Sequence, residues 1–268
     1  MTTALCEFYG FKTQPFHITT DADLFFESRS HQEALGSLMY GIEERKGLLL
    51  ITGEVGTGKT TLCKALMERL PKTVRTSLIL SPYFSDIQLL QAIVEDFGLE
   101  AEKKTRLDIV KKLDAFLIDL SLQQGNAVLV IDEAQNLKPR QLEQIRLLSN
   151  LETKHGKLLQ IVLVGQPELK ANLRRYDLRQ IYQRVVIKYD LQPLDSGDVK
   201  AYVDFRLSRS GAEGVMVTPE AYQVINDFSK GVPRLINLLC DRALLLGFVR
   251  KQKVLDQDIL LASMEEIQ

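Results

Sequence analysis

Gly53-Glu54-Val55-Gly56-Thr57-Gly58-Lys59-Thr60 fits the pattern G-x-x-x-x-G-K-[ST] at every fixed position. Just upstream, Gly47-Leu48-Leu49-Leu50-Ile51-Thr52 is a short apolar run of the kind that forms a strand buried on both faces. Just downstream, Thr61 to Leu70 carries apolar residues at helical spacing and stops at Pro71. Strand, glycine loop, helix is the order that phosphate binding requires. Glycines let backbone N–H groups turn inward around an anion without Cβ clashes. The helix N-terminus adds unpaired donors and the positive end of its dipole. Lys59 then supplies a mobile charge for β- and γ-phosphates and the Thr60 hydroxyl a ligand for Mg²⁺. Gly53, Glu54, Val55, Gly56, Thr57, Gly58, Lys59, Thr60 and Thr61 together form the candidate nucleotide cradle.

A second run completes the pattern. Val128-Leu129-Val130-Ile131 ends in Asp132-Glu133, which places two carboxylates at the C-terminal edge of a buried strand. Ligands of parallel α/β sheets sit in that crevice. Asp132 is placed to hold the Mg²⁺ shell, directly or through water, and Glu133 is the candidate base that polarises an attacking water. A third buried strand, Leu158 to Gly165, is followed by Gln166, a polar side chain able to reach toward a γ-phosphate or simply to occupy a turn.

The whole chain sets bounds on these motifs. Its 268 residues suit one large domain or two smaller ones, and 45% hydrophobic with 26% charged residues is ordinary for a globular protein. Lys and Arg number 34 against 35 Asp and Glu, so a polyanionic partner would need a local basic surface. Cys6, Cys63 and Cys240 are scattered, odd in number and without metal-site spacing, which fits a reducing cytosol. No basic-then-apolar signal segment opens the chain, and its apolar runs fall short of the roughly 18–20 residues that span a bilayer. The expectation is a cytoplasmic protein without direct membrane insertion.

Residues 1–30 are dense in aromatics, from Phe8 and Tyr9 through Phe11 and Phe16 to Phe25 and Phe26, and must be buried somewhere. They can wall in a flat base near Phe11 to Phe16 or serve the core alone. A helix from Ser30 to Arg45 carries His31 near its start, where an exposed histidine is the commoner case. Lys170 to Lys188 is locally basic. Its arginines suit a neighbouring subunit's nucleotide, where such a finger is worth about 10³–10⁵ in rate, or a nucleic-acid backbone, or plain solvation. From Asp195 the pattern turns helical, and Gly231-Val232-Pro233-Arg234 opens one of those helices. We read residues 1–194 as an α/β nucleotide-binding domain and 195–268 as a helical lid whose arginine reaches phosphates on closure.

These motifs together resemble the AAA+ ATPases. Phe8-Tyr9-Gly10-Phe11, Pro15-Phe16, Tyr40-Gly41-Ile42-Glu43 and the loop Gly53 to Thr61 resemble the ExeA/GspA type, the ATPases of general secretion. The resemblance implies a P-loop parallel sheet flanked by helices with an all-helical lid. It implies ATP and Mg²⁺ as cofactors, Lys59 and Thr60 for phosphates and metal, and Asp132 and Glu133 for metal and water. Gln166 and Arg234 follow as first and second sensors, and Arg184 as the trans arginine finger in preference to Arg179 or Arg175. Partners implied are other copies of the chain, in a hexameric ring or helical filament, and a membrane-associated assembly. Secretion members continue into a transmembrane helix and a periplasmic peptidoglycan-binding region, so a domain of a longer membrane protein and a stand-alone relative are both open. Transposition ATPases of the MuB/TnsC/TniB kind share the core and would act on duplex DNA; that is the alternative function.

Overall fold

The computed structural model describes residues 2–17, 24–100, 105–154, 156–211 and 214–267. In chain order the longer elements are α1 (Thr2–Tyr9), α2 (Arg29–Glu43), β1 (Leu48–Gly53), α3 (Lys59–Arg69), β2 (Val74–Ile79), α4 (Asp86–Asp96) and α5 (Arg106–Leu122). Then come β3 (Asn126–Ile131), α6 (Pro139–Leu148), β4 (Leu159–Gly165), α7 (Pro167–Leu173), α8 (Arg179–Arg184) and β5 (Val185–Leu191). The chain finishes with α9 (Ser196–Arg209), α10 (Pro219–Ser229), α11 (Pro233–Val249) and α12 (Gln257–Glu265). The chain divides into two compact units, one of residues 31–54 and 59–191, the other of residues 1–30, 55–58 and 192–268.

The first unit is an α/β sandwich on a five-stranded sheet of order β2-β3-β4-β1-β5. Every pairing is parallel. Burial follows strand position: β1 and β4 are buried at every residue, whereas the edge strand β5 alternates from Val185 to Leu191. Parallel central strands must be apolar on both faces, because crossover helices cover both. Local chemistry fixes where the helices begin. Ser85 caps α4 in a capping box with Gln88, Thr105 does the same for α5 with Asp108, and Pro139 opens α6 at its first turn.

One polar residue interrupts this apolar interior. Gln160 of β4 is fully buried. Its Oε1 accepts from the Gly47 backbone N–H at 2.7 Å, while its Nε2 donates to the Lys157 carbonyl at 3.0 Å and to Asn126 Oδ1 at 3.3 Å. Asn126 in turn donates to the Ile42 carbonyl. A buried amide with both ends satisfied ties β1, β3 and β4 together at the edge where they begin.

The second unit is helical, with a core of Val199, Val203, Ile225, Leu239, Leu244 and Leu260 among others. Tyr9, Phe11 and Phe16 are buried in that same core. Residues 1–30 therefore group with the helices, not with the α/β domain to which the sequence reading assigned them. The anchor is Arg206 of α9, itself buried, which donates to the carbonyls of Pro15 at 2.6 Å and His17 at 2.8 Å. The rings of Phe11 and Phe16 are committed to packing, the second of the two readings given for them. His31 is also corrected: it is buried, not exposed.

Candidate functional site

The sheet order brings the functional residues together. β4 lies between β1 and β3, with Thr52 opposite Gly165 and Ile131 opposite Leu163. The glycine loop after β1, the acids after β3 and Gln166 after β4 thus leave one edge of the sheet side by side. This is the carboxyl edge at which open α/β sheets bind ligands.

Lys59 opens α3 and is buried, with Nζ donating to the Gly53 and Glu54 carbonyls, both at 2.9 Å. Burial lowers its pKa, against the opposing pull of Glu133, Asp132 and Glu54. Thr60 donates its hydroxyl to Asp132 Oδ2 at 2.5 Å. Burial pushes the Asp132 carboxyl up, while the bonds from Thr60 and from the Glu133 N–H oppose the rise. A short acid, a hydroxyl and an ammonium of shifted affinity in one crevice make a candidate functional site.

Glu133 has a left-handed backbone, φ 50° and ψ 35°, the kind of local strain that concentrates at functional sites. Its Oε2 accepts from Gln135 Nε2 at 2.5 Å and from Gln166 Nε2 at 3.3 Å. Gln135 stands in the sequence two residues after Glu133, but spacing gave it no role; its second partner, Gln166, follows β4 and lies 31 residues on.

At the entrance to α3, Gly56 and Gly58 take φ of 83° and 94°, which side chains resist. Residues 55–58 group with the helical unit, where the Gly56 carbonyl accepts from the Arg234 N–H at 3.3 Å. A Cβ on Gly56 would lie 2.6 Å from that of Arg234. Arg234 follows Pro233 in the first turn of α11 and is exposed.

The residues present fit a magnesium–nucleotide. One hydroxyl and one short carboxylate suit a cation shared with phosphate oxygens and water.

Arg184 lies elsewhere. It closes α8 just before β5, and Val185 pairs with Leu48, the first residue of β1. It therefore stands at the opposite edge of the sheet, about 16 Å of strand from Gly53. Its alternatives are engaged close by: Arg175 pairs with Asp177 at 3.3 Å, and the Arg179 guanidinium sits 4.4 Å from the ring centre of Tyr176.

Residues 42–173 match a family described as "AAA domain". Over 262 residues, 97% of its length, the chain is 45% identical to General secretion pathway protein A of Aeromonas hydrophila, and it spans 48% of that relative. The fold is similar to that of the Aeropyrum pernix ORC2 protein in its ADPNP–ADP complexes, with a TM-score of 0.73 at 18% identity over 96% of this chain and 72% of that one. The Thermotoga maritima RuvB Holliday junction branch migration motor is also similar, with a TM-score of 0.60 at 22% identity over 91% and 73%.

Proposed function

We propose that the chain is an AAA protein of the general secretion pathway protein A type and that it binds and hydrolyses ATP with Mg²⁺. The observation that carries this reading is the meeting of Lys59, Thr60, Asp132, Glu133 and Gln166 at the sheet's carboxyl edge. On binding, Lys59 exchanges its loop carbonyls for phosphate oxygens, and the loop's N–H groups cradle the anion. Thr60 and Asp132 would hold the metal, which would draw negative charge off the phosphate oxygens. Glu133 orients the attacking water and takes its proton. Arg234 answers to the phosphates as second sensor and Gln166 as first.

The work we assign to turnover is assembly in a secretion or surface-export system. ATP joins copies of the chain into a ring or filament with Arg184 acting in trans, and a membrane-associated partner on the cytoplasmic side receives the change. The basic run from Lys170 to Lys188, with Tyr176 82% exposed within it, favours a second reading as a duplex-DNA-stimulated regulator.

Steady-state turnover and binding of a fluorescent ATP analogue test the site. Lys59→Ala should lose nucleotide binding, whereas Glu133→Gln should bind like wild type and turn over roughly 10²–10⁴-fold more slowly. Wild-type turnover in Glu133→Gln would remove it as the base. Stimulation by duplex DNA that vanishes with salt would transfer the function to the second reading; indifference to DNA supports assembly.

A further inference from the structure

We propose that Gln135 is a positioning residue for Glu133, a role that rests on the ATPase reading above. Its side chain is fixed at both ends. Oε1 accepts from the Gln166 backbone N–H at 3.1 Å, and Nε2 donates to Glu133 Oε2 at 2.5 Å. A backbone N–H can only donate, so it takes the amide oxygen and thereby turns the amide nitrogen toward the carboxylate. The orientation follows from the bonding pattern itself.

Space for this arrangement is provided by Gly165. Its φ is not positive, so no backbone demand calls for glycine there, yet a Cβ would stand 2.7 Å from Gln135 Oε1 and 2.8 Å from Leu169 Cδ2. The end of β4 thus supplies both the N–H that anchors the amide and the gap that admits it. Gln135 itself rides on the single 3₁₀ turn Ala134–Asn136, which the left-handed Glu133 sets off. Gln166 adds a second amide to the same carboxylate oxygen. With both amides on Oε2, rotating the carboxylate would break both bonds, which leaves Oε1 as the oxygen for the water. A base so held spends less of its time in unproductive rotamers.

The test compares wild type, Gln135→Met, Gly165→Ala and the double variant, each as the full chain, for ATP-analogue affinity, KM and kcat. Gln135→Met keeps length and removes the amide; Gly165→Ala keeps the amide and presses it aside. Each should leave Kd and KM within about twofold of wild type and lower kcat roughly 10- to 100-fold. The double variant should fall little below either single one, because both break one contact. Unchanged kcat in Gln135→Met overturns the role, and raised kcat does too, since the bond would then be a brake. A parallel loss of ATP affinity would make Gln135 merely structural. Should Gln135→Met not fold, Gly165→Ala alone decides on the same criteria. Absence of wild-type turnover would instead sink the ATPase reading, and this role with it.

Discussion

Asp132 and Lys59 are buried against the preference of their own charges. The fold raises the Asp132 pKa mainly by desolvation, so the folded state favours the protonated acid. Stability from such a group is complete at low pH and is lost as pH rises through its titration. At neutral pH the ionised carboxylate therefore weakens the ligand-free protein, as functional groups commonly do. Asp132→Asn keeps an oxygen for the Glu133 N–H, turns its amide NH₂ to the Thr60 hydroxyl, which then accepts, and discards the charge. It should stabilise the ligand-free chain by about 1 kcal/mol at pH 7–8, with the gain shrinking in acid as the wild-type carboxyl takes up its proton. Thermal melts across pH check this; a lower melting temperature at pH 7 would contradict it. The same variant should lose magnesium-dependent turnover, separating stability from use.

Within the helical unit, Gly231 ahead of α11 leaves the least room for a side chain among the described glycines. The Leu194 N–H donates to the Gly231 carbonyl at 2.8 Å, and a Cβ on Gly231 would stand 1.9 Å from the Leu194 carbonyl oxygen. Gly231 also takes φ of +76°. Gly231→Ala should cost about 2–4 kcal/mol through clash and left-handed strain, read as a lower urea midpoint; a change under about 0.5 kcal/mol would show that the two segments yield. The elements themselves were largely legible in the sequence. Branched apolar runs between turn residues announce β1, β3 and β4, and Pro233 announces a helix start, because those signals are local. What escaped was partnership. The aromatics of residues 1–30 declare that they are buried but not against what, and Arg206, which holds Pro15 and His17, lies 191 residues from the first of them. Gln135 and Gln160 escaped for the same reason. Their partners are assigned by strand order, with β4 between β1 and β3, and no spacing along the chain encodes that.

At the scale of the whole molecule, the distance between Arg184 and the carboxyl edge bears on assembly. A side chain standing beside the first residue of β1 cannot serve the phosphates of its own loop, so the finger role proposed for it is one exercised on another copy. Mixing Arg184→Ala with Lys59→Ala subunits should restore part of the turnover that neither has alone, since each supplies what the other lacks. No recovery at any mixing ratio would count against the trans role. Gln160 carries a different long-range consequence. If β4 slid one residue along its neighbours, every side chain would change faces, and the buried amide would abandon the Gly47 N–H and Asn126 together. That penalty forbids the slip from one end of the strand, and a strand held at one end is indexed at the other. The register that sets Gly165 opposite Thr52, at the end of β1, is thus held by a glutamine near the other end of β4.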